Sequence, residues 1–560
     1  MSHIIIAAHA EGDILACDEG LSFWGGVNAD TGDLQDALHP QFGQCLAGKV
    51  VMMPTSRGSC SGSGVLLNLL LNGAGPAALV FREAEDILTL GAVVAARMFD
   101  VRIPVLRLGE QDYEALAAKP RATLTADGVE ADQLRLSLEP LSDTAMTWSD
   151  SDLRMQAGEH GPAVQMAMEV VIDMARALNA PELIDVTRAH IDGCIYAGPA
   201  FLTFAERMAD LGGKVRIPTT MNAISVDHTN WRSQGVDPAF GGPASRLADA
   251  YVRMGAEPSF TCAPYLLPDK PQQGEDIAWS ESNAVIYANS VLGARTVKHP
   301  DFLDLCMALT GRAPKSGVYF DEGRTPRRIV DVVMPEGADD AFWPLLGWLL
   351  GMASPDRIPL LKGLEGANPD EDDLKALCAA FGTTSAAPML HIAGITPEAG
   401  EVATAADQVQ IAPIDFAEAW RRFNSSTAKI DLIAIGSPHA SANECRKFLK
   451  ELNNRKRHKD VSVIITLSHA TLNDIVADGT EAALRGLGVT IVPDLCWCSI
   501  SEPVFPPSAQ VVMTNSGKYA HYGPALSGRE VKIGGMAECA AAAIAGYVPE
   551  TPRWVLDIAE

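Results

Sequence analysis

Long hydrophobic runs are missing from the sequence, and positive charge is scarce relative to negative charge. No apolar run reaches the ~18 residues that a membrane-spanning helix needs. The 560 residues include 44 lysines and arginines against 70 aspartates and glutamates, which gives a formal net charge of −26. Such an acidic surface repels phosphate backbones and anionic membranes. We therefore expect neither a membrane nor a nucleic acid as the main partner.

A basic leader is also lacking at the start of the sequence. The opening run, MSHIIIAAHAEGD (Met1 to Asp13), is apolar over only a few residues and is soon interrupted by charge. It does not fit a signal peptide, so a cytoplasmic enzyme is the expectation. The hydrophobic content of 47% is enough for large buried cores.

Cysteine is sparse, and its spacing does not suggest pairs. The 11 cysteines are an odd number and are spread widely along the chain, which is not the pattern of a disulfide framework. Most are expected to be reduced and buried as small apolar side chains. Cys496 and Cys498, in DLCWC, would lie on one face of an extended strand. A Cys-x-Cys pair alone, however, indicates a metal site only weakly.

Two compositional regions are visible along the chain. Residues 1 to about 110 alternate short apolar runs with helical patterns, which is typical of a small α/β domain. From about Gln111 to Thr147 the sequence is irregular and acidic, and we interpret it as a connection. The rest predicts a long α/β region. Its predicted strands include ELIDV, KVRIPTT, DLIAIG, VSVIITLS, VTIVPDL and AQVVMTN.

Unusual polar residues stand at the ends of the predicted strands. In open α/β sheets, ligands bind beyond the carboxyl ends of the strands, where loops and helix N-termini gather. Several polar groups at one sheet edge therefore favour a single site, although turn residues also occur there for local reasons. The set comprises Ser59, Thr219, Thr220, Ser437, His439, Cys496, Asn515 and Ser516.

The segment TSRGSCSGSG (Thr55 to Gly64) joins a predicted strand to a predicted helix. Its glycines allow positive φ and let backbone N–H groups form an anion-binding nest. It is not a P-loop, since no Gly-Lys-Ser/Thr follows, and it lacks the Gly-x-Ser-x-Gly elbow of serine hydrolases. The segment is compatible with carboxylate or phosphate binding, or with a serine base whose oxyanion Arg57 stabilises. Capping of the helix by Ser61 or Ser63 is the simpler alternative.

Several motifs together resemble the aconitase X family, a divergent branch of the aconitase superfamily. In the N-terminal part the match is LSFWGGVNADTGDLQDALHPQFGQCLAGKVVMMPTSRGSCSGS (Leu21 to Ser63). In the rest it comprises GEHGPAVQMAM, HIDG, IPTTMNAISVD, TCAPY, WSESNAVIYANSVLGART, LTGRAP, GSPHAS, PDLC and TNSGKYAHY. The resemblance implies an α/β multidomain, aconitase-like fold. A small swivelling domain (residues 1–130) and a linker (131–146) would precede a large three-layered catalytic domain with subdomains (147–560).

Relatives in this family hold an iron–sulfur cluster by cysteine thiolates, and the resemblance assigns that role to cysteines of this chain. Cys262 in TCAPY and Cys496 in PDLC are the first ligand candidates. Cys306 in DLCMALTGRAP is the third candidate, and Cys498 is the reserve. Archaeal relatives have cysteine where this chain has Ser437, and serine is a poor ligand for a soft site. A [2Fe–2S] cluster with three cysteine ligands, as in the single-chain bacterial type, is therefore expected.

The resemblance implies a dehydratase, that is, a hydro-lyase. The single-chain bacterial members act on cis-3-hydroxy-L-proline, and the two-subunit archaeal members act on mevalonate 5-phosphate. Fusion of both parts in one chain implies the bacterial activity, with Δ1-pyrroline-2-carboxylate as the product. We then expect a monomer that acts on a small molecule and needs no separate small subunit. Mevalonate 5-phosphate, or another small hydroxy acid, is the alternative substrate.

The same resemblance suggests roles for residues of the site. Ser59 would take the proton from Cα of the substrate, with Arg57 and backbone N–H groups holding its oxyanion. Lys518 suits a substrate carboxylate. The candidates for lining the pocket are His190, Asp192, Thr219, Thr220, Glu281, Asn283, Asn515, Ser516 and Lys518.

Two other functional classes fit the sequence less well than the dehydratase. A cluster-sensing regulator that binds RNA conflicts with the net charge of −26. A serine hydrolase lacks a recognisable nucleophile elbow. Both classes are therefore weaker than the dehydratase interpretation.

Overall fold

A computed structural model describes residues 2–36, 39–141, 146–425 and 429–559 of the chain. These residues fold into α/β units, each built on its own β-sheet or pair of sheets. None of the helices among them is both long and apolar enough to cross a membrane.

The N-terminal unit, called the small domain below, is built on one mixed sheet. Its strands and helices are β1 (His3–Ile6), β2 (Ala10–Ala16), β3 (Val50–Met53), α1 (Gly62–Asn72), β4 (Ala78–Phe81), α2 (Ile87–Phe99), β5 (Val105–Arg107), α3 (Glu110–Ala117), β6 (Arg121–Thr125), β7 (Gly128–Ala131), β8 (Leu134–Ser137) and β9 (Glu139–Pro140). The strand order is β8-β7-β6-β2-β3-β4-β5-β1-β9. Strands β2 to β5 run parallel, and every residue of β3 and β4 is buried. The predicted alternation of strands and helices is confirmed. Its short apolar runs form the buried parallel strands, which need continuous apolar sequence.

The irregular connection predicted from about Gln111 to Thr147 is wrong as far as residue 140. Helix α3 and the antiparallel meander β6-β7-β8 occupy much of this segment. Along β6 the buried residues Ala122 and Leu124 alternate with more exposed ones, which is the pattern of a half-buried strand. The predicted linker at 131–146 therefore contains β8 and β9. Its residues 142–145 lie outside the described part of the chain.

The first unit of the large region begins with a helix that Ser149 caps. Ser149 Oγ accepts a hydrogen bond from the Asp152 N–H at 3.1 Å, and the Asp152 carboxylate accepts the Ser149 N–H at 3.0 Å. This capping box fixes the first turn of the helix. The strands and α-helices are α4 (Asp150–Gln156), α5 (Pro162–Ala177), β10 (Leu183–Asp185), β11 (Ala189–Ile191), α6 (Pro199–Asp210), β12 (Thr219–Met221), α7 (Pro238–Arg253), β13 (Ala278–Trp279), α8 (Ser282–Tyr287), α9 (Leu303–Thr310) and β14 (Arg312–Pro314). Short 3-10 or π turns lie at Pro264–Leu266 and Ala288–Leu292.

The second unit carries a parallel sheet in the order β17-β16-β15-β18. Its elements are 3-10 turns at Gly317–Tyr319 and Glu322–Arg324, then β15 (Arg328–Val332), α10 (Phe342–Ala353), β16 (Pro359–Lys362), α11 (Glu371–Thr384), β17 (His391–Ile392), β18 (Asp407–Ile411) and α12 (Pro413–Phe423). Helices α10 and α11 pack against each other and cover an apolar core.

The third unit carries a parallel sheet in the order β21-β20-β19-β22-β23. Its elements are β19 (Leu432–Ile435), α13 (Ala442–Leu452), β20 (Ser462–Leu467), α14 (His469–Ala477), α15 (Thr480–Gly486), β21 (Thr490–Pro493), β22 (Val511–Thr514), α16 (Gly517–Ser527), β23 (Glu530–Ile533), α17 (Met536–Ala545) and α18 (Arg553–Ala559). Strands β19 to β22 match the predicted runs DLIAIG, VSVIITLS, VTIVPDL and AQVVMTN. Because they are parallel, the loops that follow them gather at one edge of the sheet.

The small domain is docked on the first unit through an apolar interface. Helices α1 and α2 pack against α6 and α5, and residues of both units belong to one continuous hydrophobic core. Gly64 in α1 faces the ring of Phe201 in α6: a Cβ at position 64 would lie 2.0 Å from the ring carbon Cζ. The missing side chain lets the helix approach the ring closely. This docking brings the segment before α1, which carries the serines, against the loops of the large region.

Candidate active site

One cavity lies where the small domain meets the three units of the large region. Ser59 and Ser61 enter it from the small domain, and Asp192, Glu281 and Lys518 enter it from the large region. The remaining lining residues are Trp24, Ile195, Ser282, Asn283, Ala379, Gly382, Thr383, Cys498 and Tyr522. The cavity therefore combines hydroxyl, carboxylate, amine and thiol groups from distant parts of the chain.

The serine segment is shaped by a glycine in the left-handed region. Gly58 has φ of 90°, and a Cβ there would lie 2.4 Å from Ser22 Oγ. The turn leaves Ser59 half-buried at the cavity, where its Oγ accepts a hydrogen bond from the Ser61 N–H at 3.3 Å. Ser61 is the N-cap residue of α1, yet its side chain makes no capping hydrogen bond. Ser63 bonds instead to the carbonyls of Cys60 and Asp301, at 3.1 and 3.2 Å. Simple capping therefore does not explain these serines.

Arg57 does not have the position that the sequence suggests. Its guanidinium forms ion pairs with Glu19 at 3.0 Å and with Asp36 at 3.3 Å, and its side chain is 41% exposed. Among the described hydrogen bonds, the donor to Ser59 Oγ is the Ser61 N–H rather than Arg57. The expected stabilisation of a Ser59 oxyanion by Arg57 therefore finds no support in the contacts.

Glu281 and Lys518 form a buried ion pair at the centre of the cavity wall. Lys518 Nζ lies 2.7 Å from Glu281 Oε1, and Asn283 Nδ2 donates to the same oxygen at 2.6 Å. Burial alone would raise the pKa of Glu281, but Lys518 brings it below its ordinary value. Burial lowers the pKa of Lys518, but the charge of Glu281 more than reverses this effect. Each group therefore favours the charged form of the other.

Asn222 connects this ion pair to a second carboxyl group. Its Nδ2 donates to Glu281 Oε2 at 3.0 Å and also to Asp192. Burial raises the pKa of Asp192 well above its ordinary value, and the neighbouring charges of Asp301 and Glu281 add to the effect. The sequence pattern does not single out Asn222, although it lies within the quoted motif IPTTMNAISVD.

Three of the predicted pocket residues support the site from behind. His190 Nδ1 lies 2.8 Å from Thr220 Oγ1, and burial lowers the pKa of His190 to about 3, so the ring is neutral. Thr219 Oγ1 donates to the Ile217 carbonyl at 2.8 Å. None of the three is among the described residues that line the cavity. His190 and Thr220 join strands β11 and β12, and the Thr219 side chain bonds within its own segment.

Asn515 and Ser516 position the helix that carries Lys518. Ser516 caps α16 by accepting the Tyr519 N–H at 3.0 Å, and its hydroxyl donates to the carbonyl of Ser437. Asn515 Nδ2 donates to Glu444 Oε1 at 3.3 Å. These contacts fix the first turn of α16 at the sheet edge and thereby direct Lys518 into the cavity.

Three thiols gather beside the cavity, and Cys498 is the one that lines it. The sulfurs of Cys262 and Cys496 are 3.8 Å apart, and Cys498 packs against this pair. Hydrogen bonds from Cys262 and Cys498 lower the pKa of Cys496 well below its ordinary value, and Lys518 adds to the effect. The His439 N–H donates to the Cys262 sulfur at 3.2 Å. These neighbours therefore favour the thiolate form of Cys496.

Cys306 is not brought to these thiols. It lies in α9, where every residue from Leu303 to Thr310 is buried, and it packs in the core shared with the small domain. Burial raises the pKa of its thiol. Cys498, the reserve candidate, lies beside Cys262 and Cys496 instead.

The thiols fit an iron–sulfur cluster by their chemistry. Sulfur donors are what such clusters bind, and the stabilised thiolate at Cys496, the nearby amine of Lys518 and the N–H of His439 suit an anionic cluster. In the described residues, no three His, Cys, Asp or Glu side chains already stand in the arrangement of a metal cage. The fit therefore rests on the donor set and not on a preformed geometry.

Models of one protein family match almost the whole chain. The Aconitase X swivel domain matches residues 1–131, and the first, second and third Aconitase X domains match 145–322, 326–421 and 430–545. Solved structures agree. Aconitase X of Thermococcus kodakaraensis (holo-form) superposes with a TM-score of 0.65 at 30% identity, over 71% of this chain and 100% of that one.

Characterised relatives extend the similarity to both ends of the chain. A cis-3-hydroxy-L-proline dehydratase of Pseudomonas aeruginosa is 46% identical over 98% of this chain and 97% of its own. The enzyme of the same name from Hypocrea jecorina is 46% identical over 96% and 94%. The phosphomevalonate dehydratase large subunit of Methanocaldococcus jannaschii is 31% identical over 68% and 96%. The chain belongs to the aconitase X family.

Proposed function

We propose that this chain dehydrates cis-3-hydroxy-L-proline to Δ1-pyrroline-2-carboxylate. The observation that carries the proposal is the 46% identity to cis-3-hydroxy-L-proline dehydratases over nearly the full length of both chains. The relatives on which it rests are dehydratases, and the chain is accordingly a hydro-lyase. Its substrate, its base and its cofactor are the parts that the proposal adds.

The charges of the cavity suit a zwitterionic amino acid. Lys518 can pair with a substrate carboxylate, and Asp192 or Glu281 can pair with a ring ammonium. A phosphorylated substrate such as mevalonate 5-phosphate needs several cations to balance its charge. Among the described lining residues Lys518 is the only lysine or arginine, and Glu281 already holds it. These charges favour the amino acid over the phosphate.

Ser59 is the proposed base. It lines the cavity from the small domain, whereas Cys498 and Lys518 line it from the large region. The Ser61 N–H at 3.3 Å can stabilise negative charge on its oxygen. A substrate held by Lys518 and the carboxylates would then present its Cα–H to a hydroxyl of the small domain.

Cys262, Cys496 and Cys498 are the proposed holders of an iron–sulfur cluster, for which a [2Fe–2S] type remains our expectation. Such a cluster would supply a Lewis acid for the substrate oxygens. Cys498 lines the cavity, so the thiol group reaches the substrate space directly. Cys306 has no part in this proposal, because it is buried in another core.

The residues of the chain then act in a defined order. Lys518 and the carboxylates orient the substrate, and docking of the small domain limits the access of water. Ser59 takes the Cα proton as the C3–O bond breaks and hydroxide leaves. The electron pair of the Cα–H bond forms the double bond between Cα and C3. The resulting enamine becomes Δ1-pyrroline-2-carboxylate when a proton is added at C3 and one is lost from the ring nitrogen.

The single chain supplies both parts of the two-subunit relatives. The phosphomevalonate dehydratase small subunit of Thermococcus onnurineus is 42% identical over 91 residues, 16% of this chain. We therefore propose a protein that works in the cytoplasm as a monomer, without a separate small subunit. Light scattering of the purified protein tests the monomer, and a dimer would contradict it.

Turnover by anaerobically purified protein tests the substrate and the base. cis-3-Hydroxy-L-proline should give a product that o-aminobenzaldehyde traps, and mevalonate 5-phosphate should not be consumed. Ser59→Ala should retain the visible spectrum but lose turnover by about 10²-fold or more. Ser233→Ala, at an exposed serine outside the cavity, is the matched control and should behave as wild type. Turnover of mevalonate 5-phosphate alone would refute the substrate, and near-normal turnover by Ser59→Ala would refute the base.

A further inference from the structure

Asp301 is a fully buried carboxyl group directly behind the serine turn. Its exposure is 0%, and neither carboxyl oxygen makes a hydrogen bond of normal geometry with any described residue. A buried carboxylate without donors is costly, so such a group is either neutral or kept for a proton. The proposed order of steps gives it no role.

The backbone of Asp301 is tied to the serine turn. The Asp301 N–H donates to the Cys60 carbonyl at 3.3 Å, and Ser63 Oγ donates to the Asp301 carbonyl at 3.2 Å. Ser61 faces the Asp301 carboxyl group and also lies 3.4 Å from Ser59, Oγ to Oγ. The hydroxyl groups of Ser59 and Ser61 therefore stand between the cavity and the buried acid.

The surroundings of Asp301 keep it ready to hold a proton near neutral pH. Burial raises its pKa to about 8, with Asp304 contributing next, while Ser61 and Asp192 lower it. Asp304 accepts backbone N–H groups at 2.7, 3.3 and 2.6 Å, so its own charge is well satisfied. The polar and titratable groups that face Asp301 from the surrounding elements are Ser61, Cys60, Asp192, Cys194, Tyr251, Glu281 and Asp304.

We propose that Asp301, together with the adjacent Asp192, receives the proton that Ser59 takes from the substrate, by way of the Ser61 hydroxyl. As the Cα proton moves to Ser59 Oγ, the Ser59 proton moves to Ser61 and the Ser61 proton moves to the Asp301 carboxylate. The Cα–H electron pair forms the new double bond, and the C3–O pair leaves with hydroxide. The acid pair later returns one proton, which with that hydroxide makes up the water released.

The relay explains how a serine can act without Arg57 beside it. Ser59 never has to persist as an alkoxide, because it passes a proton on as it accepts one. A carboxylate is a far stronger resting base than a serine hydroxyl, and burial with Asp304 beside it increases the basicity of Asp301 further. The inference rests on the proposed function, since it presupposes Ser59 as the base.

Asp301→Asn tests the relay with little change of shape, since the backbone contacts to Cys60 and Ser63 are kept. We expect kcat to fall by about 10²-fold or more with KM little changed. In the wild type kcat should fall as the pH drops through the pKa of the acid pair, because the acceptor is then already protonated. Asp301→Asn should lose that dependence. Its thermal midpoint should be equal or higher, because a neutral amide removes repulsion from Asp304, whereas a structural role predicts a lower one.

Ser61→Ala breaks the path at its middle and serves as the second variant. It should lower kcat to a similar degree, and the double variant Ser61→Ala/Asp301→Asn should be no slower than either single variant, because both interrupt one path. Asp210→Asn, at an exposed aspartate, is the control.

The outcomes separate the relay from the proposed function. If wild type turns over cis-3-hydroxy-L-proline and Ser59→Ala does not, the function stands. Near-normal kcat with an unchanged pH profile in Asp301→Asn then overturns the relay alone. If Asp301→Asn fails to fold, near-normal kcat in Ser61→Ala likewise overturns the relay. Normal turnover by Ser59→Ala overturns the assignment of Ser59 as the base, and the relay with it, while the dehydratase activity stands.

Discussion

The sulfurs of Cys262 and Cys496 lie 3.8 Å apart although 234 positions separate them in the chain. Cys262 comes from the first unit of the large region, and Cys496 follows β21 in the third unit. The two units therefore meet at the thiols. Cys498, two residues further on, completes the group from the side of the cavity.

Replacing individual cysteines should separate ligands from core residues. Cys496→Ser and Cys498→Ser should each lower iron and sulfide content and bleach the visible spectrum, because serine binds iron poorly. Cys306→Ser is the matched control and should retain both, since Cys306 is buried in α9. Iron and sulfide assays on anaerobically purified protein measure the outcome. Loss of the cluster from Cys306→Ser, with retention in Cys498→Ser, would contradict the assignment.

Arg57→Ala should leave turnover within about fivefold of wild type, a change of ~1 kcal/mol. The guanidinium is partly exposed and held by Glu19 and Asp36, which is the setting of a weak surface ion pair. Steady-state kinetics with cis-3-hydroxy-L-proline provides the measurement. A loss of turnover of about 10²-fold without a change in thermal stability would indicate that Arg57 acts in the catalytic step.

Local sequence patterns predict much of the fold but not every strand boundary. Buried parallel strands such as β3 and β19 appear in the sequence as short apolar runs, and both were predicted from those runs. The run KVRIPTT predicts a longer strand than the structure shows. Strand β12 begins only at Thr219, after Pro218, which has no N–H to donate to a ladder.

The site was harder to predict because its contacts connect distant segments. A sequence shows that Cys306 and Cys498 are both cysteines, but only packing shows which of them reaches Cys262 and Cys496. The acceptors of Arg57 are likewise invisible, because Glu19 and Asp36 lie 38 and 21 positions away. Motif resemblance indicates a region of the chain in both cases, and only tertiary packing shows which individual residues are in contact.

Lys518→Met should destabilise the folded protein by about 3–5 kcal/mol, because it leaves the Glu281 charge buried without its partner. Glu281→Gln/Lys518→Met should recover most of that loss, since neither charge remains. Urea unfolding at pH 7 of the three proteins measures the difference. Equal midpoints for wild type and Lys518→Met would show that the ion pair is not needed for stability.

The Glu281–Lys518 pair also predicts a pH dependence of stability. The pKa of Glu281 is lowered in the folded protein, so its contribution is present above the unfolded pKa of about 4.3 and is lost as the pH falls through the folded value. In Lys518→Met the pKa of Glu281 should rise through burial, and protonation would then relieve the charge. The stability difference between wild type and Lys518→Met should shrink as the pH is lowered from 7 towards 4. A constant difference over this range would exclude Glu281 as the cause.

Gly64→Ala should weaken the docking of the small domain. Its new Cβ would lie 2.0 Å from the Phe201 ring, which is backed by the core and has little room to move, so we expect a cost of about 1–3 kcal/mol. Gly242→Ala in α7 is the matched control, because its Cβ would meet nothing within 4 Å and alanine favours a helix interior. Thermal unfolding and limited proteolysis compare the two. Since the docked α1 presents Ser59 to the cavity, Gly64→Ala should also lower kcat, whereas Gly242→Ala should not. Equal stability and turnover in the two variants would mean that the interface accommodates the added methyl group without loss of stability. It would also mean that the interface does not position the serine turn.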